Sequence, residues 1–190
     1  LSFFRATSAA ELTAVQKFVE RYGITQTAEN IEQRTALMTA ASDGKTDILR
    51  YLLAAGSPVD ARTNDGRTAF SCAIKNNHVE CAQILMTAGA EIDLLGLTRG
   101  WRLLHSTVGF DCHDSFLFLL EQGVEIDCKN EDGVTPLMHA VRCCAGKQQN
   151  LEKGLPYVEK LLAAGAHMDL RDNEGCSAFE DARAYGLTDV

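Results

Sequence analysis

Cysteine and histidine are the side chains of this sequence best suited to chemistry. His139 and Cys143 stand four residues apart, so one helical turn would place an imidazole beside a thiol as a nucleophile pair. The sequence supplies no carboxylate to orient that histidine and no oxyanion feature, so packing is the preferred interpretation. Cys112-His113 and Cys143-Cys144 invite a zinc site, but the ligand spacing that zinc requires is absent. We therefore expect no catalytic residue, no metal and no cofactor, with a Cys/His-based enzyme or metal site as the weaker alternative.

Charge and composition narrow the class of protein further. The formal net charge is −8, which argues against nucleic acid as a partner because phosphate binding needs a cationic surface. No run approaches the roughly 18 apolar residues of a membrane helix, and no glycine-rich phosphate loop occurs. The seven cysteines contain no CxxC pair, which is typical of small buried side chains in a reducing compartment. These features predict a cytoplasmic or nuclear protein without nucleic-acid or membrane partners.

The elements that position these side chains are repeated along the chain. An apolar pair, two residues and a glycine recur, with an extra residue before the first glycine, and the glycines are Gly23, Gly56, Gly89, Gly123 and Gly165. A second phrase, usually opening with a hydroxyl residue, begins at Thr35, Thr68, Arg102, Thr135 and Ser177. The glycine intervals are 33, 33, 34 and 42 residues, and those of the second phrase are 33, 34, 33 and 42. Two phrases with the same set of spacings indicate one repeating unit, with a nine-residue insertion between Cys144 and Glu152.

Each unit is interpreted as two short helices followed by a turn. Thr68 caps a first helix that runs to Asn76, and a second helix such as Asp47 to Ala55 carries apolar residues at helical spacing. Small residues lie on the packed face of the first helix, at Ala40, Ala73, Ala140 and Ala182. The break between helices falls at residues that tolerate a left-handed backbone, Gly44, Asn77 and Gly186. One such unit cannot cover its own apolar faces, so neighbouring units must stack.

This pattern resembles the ankyrin-repeat family, most clearly in the segment Asp132-Gly133-Val134-Thr135-Pro136-Leu137-Met138-His139-Ala140. The resemblance implies an all-α fold, a solenoid of about five repeats in which helix-turn-helix pairs are joined by β-turn or hairpin loops. It implies a single domain over 1–190. The predicted units are 1–29 as a cap, 30–62, 63–95, 96–129, 130–171 and a partial 172–190.

The resemblance also implies a function, because the family binds partner proteins on the concave surface formed by turn tips and first helices. The residues expected there are Arg34, Asp43, Arg62, Arg67, Lys75, Asn76, Arg99, Trp101, Phe110, Lys129, Arg142 and Tyr185. The specific hypothesis is an aromatic anchor of Trp101 and Phe110, flanked by Arg67, Arg99 and Arg142. The equally weighted alternative for Trp101 is packing on Leu95 and Leu97 of the enlarged loop.

The expected partner is an extended or helical protein segment with acidic residues. The protein that binds it is expected to be a monomer and not an enzyme. The competing function is that of an intramolecular scaffold or assembly domain within a larger multidomain protein. The insertion is expected to be a surface loop or a helix extension, and a second contact site is the minority interpretation.

Overall fold

Helices account for the regular structure of the described chain. The computed structural model describes residues 12–22, 33–92, 100–145 and 148–187, the last range without the side chains of 148 and 149. The helices in these ranges are α1 Leu12–Tyr22, α2 Ala36–Ser42, α3 Thr46–Ala54, α4 Ala69–Lys75, α5 Val79–Thr87, α6 Leu103–Gly109, α7 His113–Glu121, α8 Pro136–Cys143, α9 Gln148–Ala163 and α10 Ala178–Ala184. The all-α fold built from helix pairs is therefore confirmed.

Four first helices begin directly after the predicted hydroxyl residue. Thr35, Thr68, Thr135 and Ser177 are N-caps, and each side-chain oxygen accepts a hydrogen bond from the backbone N–H three residues later. Arg102 takes this place in α6 without a side-chain cap. The small residues Ala40, Ala73 and Ala140 are completely buried, because first helices of neighbouring repeats pack against one another.

One residue with positive φ separates the two helices of the pairs α2–α3, α4–α5 and α6–α7, and a fourth such residue follows α10. This residue is Gly44 (φ 67°), Asn77 (φ 59°), Asp111 (φ 57°) or Gly186 (φ 74°). The next residue donates its N–H back to the first helix, as in Lys45 to the Ala40 carbonyl at 2.8 Å. The left-handed residue reverses the chain within three positions, so the second helix returns along the first.

Second helices bury one apolar stripe and end at the repeated glycine. Ile48, Leu49 and Leu52 of α3 are at most 1% exposed. The insertion extends α9 to 16 residues. Within this extension Gly154 lies so close to α8 that a Cβ there would overlap the Cys144 sulfur. Pro156 falls two residues further on, at the position that the first turn of α3 takes in an unextended repeat.

Polar side chains organise the turns between repeats. Asn130 Oδ1 accepts the N–H groups of Asp132 and Val134 at 3.0 and 2.8 Å. Two of the aspartates that follow second helices reach the next repeat: Asp60 Oδ1 accepts the Glu91 N–H at 3.2 Å, and Asp127 Oδ1 accepts the His167 N–H at 3.1 Å. These bonds give the two aspartates a structural role between consecutive repeats.

The chain divides into two compact bodies, Leu1–Gly96 with α1 to α5 and Leu97–Val190 with α6 to α10. The division falls in the enlarged loop, whose residues 93–99 lie outside the described ranges. The single domain over 1–190 and its six unit boundaries stay a prediction. Across the described residues, no helix combines the length and the apolar character needed to cross a bilayer.

Candidate functional site

Trp101 lies half-buried between two histidines of the C-terminal body. Its ring centroid is 4.6 Å from that of His139 in an edge-on arrangement, and 5.6 Å from that of His105. The alternative contacts with Leu95 and Leu97 concern residues outside the described ranges. Two rings from successive first helices therefore hold the indole, so its orientation is set by packing.

Gly109, the residue before Phe110, lies close to this indole. A Cβ on Gly109 would lie 3.7 Å from Cζ3 of Trp101 and 3.2 Å from Nε2 of His139. Phe110 follows as the C-cap of α6, and 52% of it is exposed. The residue next to Phe110 thus lies close to the indole, Phe110 itself is exposed, and the anchor of Trp101 with Phe110 stays a prediction.

Both histidines next to Trp101 are neutral at pH 7. Burial lowers the pKa of His139 to about 4, with further lowering by His105 and Arg142. Burial also lowers the pKa of His105, against the opposing effect of its hydrogen bond to the Val134 carbonyl, 2.9 Å from Nε2. Because both imidazoles are uncharged, little free energy is lost when a partner covers them together with Trp101 and removes them from water.

The predicted proximity of His139 and Cys143 is present, but the thiol is not activated. Cys143 Sγ lies 3.7 Å from His139 Nε2. Burial raises the pKa of Cys143, so the thiol keeps its proton at neutral pH, whereas a nucleophilic cysteine needs a lowered pKa. Among the described residues, no group of three His, Cys, Asp or Glu side chains is arranged to hold a metal ion.

Arg142 is bound by two carboxylates of the following repeat. Its Nη2 lies 2.6 Å from Asp172 Oδ2, and its Nε lies 2.7 Å from Asp181 Oδ2. Burial opposes the charge of Arg142, but the bonds to Asp172 and Asp181 outweigh it and raise the Arg142 pKa. The guanidinium therefore joins α8 to the next turn and to α10, and it would have to leave these partners to meet a ligand.

Four other predicted basic residues also contact their own chain. Arg62 lies 3.2 Å from Glu91 and Arg67 lies 2.8 Å from Asp65, both in the N-terminal body. Arg34 Nε donates to Thr39 Oγ1 at 3.3 Å, and Lys129 Nζ donates to the Arg171 carbonyl at 2.8 Å. Internal pairing reduces the positive charge that these residues offer to an acidic segment.

The remaining predicted site residues occupy matching places at the ends of first helices. Asp43, Asn76 and Tyr185 are C-caps like Phe110, and Lys75 is the last residue of α4. Asn76 Nδ2 donates to Ser42 Oγ at 3.2 Å, which links neighbouring repeats, and 45% of Tyr185 is exposed. Arg99 lies outside the described residues.

Sequence reasoning missed the pair of histidines around Trp101. It also missed the two carboxylates that bind Arg142, those of Asp172 and Asp181. Repeat register was an available signal for the aspartates, because Asp172 occupies the turn position of Asn130 and its Oδ1 accepts the Glu174 and Cys176 N–H groups in the same way. No sequence pattern relates Trp101 to His139, so their contact could not be predicted.

Comparison with protein-family models gives two matches. A model of ankyrin repeats in three copies matches residues 3–96, and a model of the single ankyrin repeat matches residues 132–173.

Among curated proteins, the B-cell lymphoma 3 protein homolog of Mus musculus is 31% identical over 160 residues, which cover 82% of this chain and 34% of that protein. A putative palmitoyltransferase of Danio rerio is 27% identical over 207 residues, covering 94% of this chain and 32% of that protein. The chain thus spans about a third of the length of these relatives.

Solved structures show the same fold. The ankyrin repeat domain of Bcl-3, described as a member of the IkappaB protein family, matches with a TM-score of 0.82 and 25% identity over 98% of this chain and 81% of that one. A complex of a predatory endopeptidase from Bdellovibrio bacteriovorus with an immunity protein contains a chain that matches with a TM-score of 0.81 and 24% identity. That match covers 98% of this chain and 93% of the other.

Proposed function

Because the chain belongs to the ankyrin-repeat family, we propose that it binds another protein and performs no catalysis of its own. The binding site is the edge of the C-terminal body formed by Trp101, Gly109 and Phe110, which we call the aromatic edge. The observation that carries this proposal is an indole held by two neutral histidines and lying close to Gly109, with the exposed side chain of Phe110 on the next residue.

A preformed aromatic surface favours binding for an energetic reason. Large aromatic side chains contribute most to affinity when they lose little conformational entropy on binding, and Trp and Tyr are enriched among the residues that dominate interfaces. The contacts of Trp101 with His105 and His139 already restrict its ring. Phe110 and Tyr185 add exposed aromatic area in the same body.

The partner segment is an extended or helical stretch whose main contact is apolar. Arg62, Arg67 and Arg142 already pair with carboxylates of the chain, so an acidic partner would have to compete with those pairs. The prediction that the partner segment carries acidic residues therefore relies on Lys129, an exposed basic residue of the C-terminal body. The seven free thiols, most of them buried, support a reducing compartment, the cytoplasm or the nucleus, for this interaction.

Affinity capture with four forms of the protein tests the proposal. The forms are wild type, Trp101→Ala, Phe110→Glu and the control Gln83→Glu, which introduces the same charge on an exposed position of α5 in the other body. We expect a retained protein whose recovery falls by about fivefold or more with Phe110→Glu and Trp101→Ala and is unchanged with Gln83→Glu. Recovered proteins are then titrated against purified wild type and variants by calorimetry.

Thermal unfolding of the same proteins separates binding from stability. Phe110→Glu should unfold at the wild-type temperature, because Phe110 is largely exposed. Equal recovery by all four forms contradicts the aromatic edge. A large fall in the melting temperature of Trp101→Ala with binding intact would assign the indole a structural role only.

A further inference from the structure

The insertion adds a wall to its repeat that the repeats of α3, α5 and α7 lack. Those three helices each begin ten residues before the repeated glycine that follows them, whereas α9 begins 17 residues before Gly165. The additional residues at the start of α9 lie against the ends of α6 and α8. A Cβ on Gly154 would overlap the Cys144 sulfur, and Lys153 Nζ lies 3.5 Å from Asp111 Oδ2. The insertion thus brings new side chains to the break between α6 and α7.

A pocket of about 160 Å³ lies between this extension and the ends of α6 and α8. We call it the insertion pocket, and the residues that line it include Gly109, Asp111, Cys143, Asn150, Lys153 and Tyr157. Gly109 also belongs to the aromatic edge. A partner segment that covers the aromatic edge therefore lies next to the insertion pocket.

Asp111 supplies a negative charge to this pocket. It is the residue with positive φ between α6 and α7, and its counterparts Gly44 and Asn77 are uncharged. Its Oδ1 accepts the hydroxyl proton of Tyr157 at 3.0 Å. Burial of Tyr157 and this hydrogen bond raise the pKa of the hydroxyl, so it stays protonated and donates. A carboxylate has about four acceptor positions, so Asp111 can bind a ligand while Tyr157 holds it in place.

The other polar atoms of the pocket are mainly hydrogen-bond acceptors. Asn150 Nδ2 donates to the Ala145 carbonyl at 2.9 Å, so Oδ1 stays available to accept a bond from a ligand. Tyr157 gives its proton to Asp111, so its oxygen can only accept another bond. Lys153 is a donor, but its ion pair with Asp111 joins side chains that are 69% and 50% exposed. Because such an exposed pair contributes little free energy, another cation can displace the Lys153 ammonium.

Apolar groups complete the lining of the pocket. Val108 is buried, Cys143 is half-buried, and Gly154 has no side chain. Burial raises the pKa of Cys143, so the thiol is uncharged at neutral pH. Apolar walls together with acceptor atoms suit a side chain with an aliphatic stem and a cationic end. Arginine fits better than lysine, because its planar guanidinium presents five N–H donors.

The charge of the C-terminal body favours the same ligand. Residues 97–190 contain 15 aspartates and glutamates against nine lysines and arginines, whereas residues 1–96 contain 11 against nine. Asp114 is exposed and, like Asp111, acts on Tyr157, so it adds to the negative potential beside the pocket. Such a potential attracts cations and repels acidic groups. The acidic residues expected in the partner segment would therefore lie away from the insertion pocket.

We propose that the insertion pocket binds an arginine side chain of the partner protein. Its guanidinium donates to Asp111 and displaces the Lys153 ammonium, and its aliphatic stem packs on the apolar walls. The proposal rests on the proposed function, because this arginine belongs to the segment that covers the aromatic edge. The aromatic edge provides apolar contact, and the insertion pocket selects segments that carry a basic residue next to their apolar one.

Capped amino acids serve as probes, because each carries one side chain and no apolar anchor. The Nα-acetyl methylamides of arginine, lysine, citrulline and glutamate are titrated into the full 190-residue protein at the same low ionic strength. Backbone NMR signals of Gly109 and Gly154 report occupancy of the pocket. We expect saturable shifts with arginine, with a dissociation constant on the order of 10 mM. Lysine should give weaker shifts, and citrulline and glutamate should give none.

Two substitutions that remove the same charge locate the site. Asp111→Asn should weaken arginine binding about fivefold or more, and the fold should tolerate it because Asn77 has the same left-handed conformation. The matched control Asp114→Asn removes the charge of an exposed residue outside the pocket lining and should change binding less than about twofold. Lys153→Gln removes the competing ammonium and should strengthen binding about twofold or more. Thermal unfolding verifies that all three variants are folded.

Four results would overturn the proposal. The first is the absence of saturable shifts with arginine, and the second is an equal effect of Asp111→Asn and Asp114→Asn. The third is binding of glutamate that Lys153→Gln abolishes, since the pocket would then take an anion. The fourth is a partner that is captured through the aromatic edge but binds Asp111→Asn as tightly as wild type, which would leave the proposed function in place. Equal capture by the Trp101 and Phe110 variants instead refutes the aromatic edge, whichever capped amino acid binds.

Discussion

Nη2 of Arg142 lies 2.6 Å from Oδ2 of Asp172, a carboxylate whose side chain is only 2% exposed. The other oxygen of Asp172 accepts the N–H groups of Glu174 and Cys176 and so closes the turn before α10. One aspartate thereby shapes the turn of its own repeat and ties it to the first helix of the repeat before. Arg142, which the sequence predicts at the binding surface, thus also connects consecutive repeats.

Arg142→Met should lower the free energy of unfolding by about 2–3 kcal/mol, because it leaves the buried Asp172 carboxylate without its charged partner. The control is Lys153→Met, which removes an exposed pair with Asp111 and should change stability by less than about 0.5 kcal/mol. Urea unfolding followed by circular dichroism measures both. Equal stabilities of the two variants would show that the Arg142 pairs contribute nothing to folding.

His139 should titrate at a pH far below that of an ordinary histidine, and the fluorescence of Trp101 should report this titration. With a folded pKa of about 4 against an ordinary value of 6.5, neutral His139 contributes stability fully above pH 6.5 and loses it as the pH falls towards 4. Trp101, the sole tryptophan, should therefore show a change in emission centred near pH 4, before the loss of helical signal.

His139→Gln supplies the control for this titration, because glutamine does not titrate there. Its emission should stay flat down to the pH at which the helices unfold. An unchanged acid transition in the variant would assign the signal to another group near the indole.

His167 should behave in the opposite direction. Its Nδ1 lies 2.6 Å from Asp127 Oδ2, and this hydrogen bond, with the charge of Asp127, raises the pKa of His167 above 6.5. The contribution to stability is complete below pH 6.5 and disappears as the pH rises through the folded pKa. Asp127→Asn keeps an acceptor for the His167 N–H but removes the charge, so titration of the imidazole by NMR should give a pKa lower than in wild type. The same value in both proteins would refute the ion pair.

Phe70 and Phe179 occupy one repeat position with opposite burial, 0% and 58% exposed. Phe70→Ala should destabilise the protein by about 3–5 kcal/mol through lost burial and a cavity. Phe179→Ala should change the unfolding free energy by less than about 0.5 kcal/mol. Comparison of the two melting curves checks this, and similar losses for both would mean that Phe179 is packed as tightly as Phe70 in the free protein.

Much of the local structure followed from residue pattern. The N-caps, the left-handed breaks at Gly44, Asn77 and Gly186, and the terminal glycines were predicted because each depends on one backbone conformation or one nearby hydrogen bond. Asp111 was not named as a left-handed residue, although register placed the break there, because aspartate adopts this conformation less readily than glycine.

The candidate site could be predicted only in part. Repeat register placed Trp101 just before the first helix of its repeat and Phe110 at the C-terminal end of that helix, as the structure has them. The support of Trp101 by His105 and His139, and the capture of Arg142 by Asp172 and Asp181, depend on side chains that meet across 4 to 39 residues of sequence.

The sequence by itself determined the repeating helix pair, the place of each turn and membership of the ankyrin-repeat family, because periodic burial and capping leave a signature at fixed spacing. Only the tertiary structure decided which basic residues are paired with carboxylates of the same chain and which aromatic side chains are exposed. Those outcomes are set by the packing of neighbouring repeats, because side chains from different repeats compete for the same partners. Such contacts join residues far apart in the sequence, so the order of residues does not reveal them.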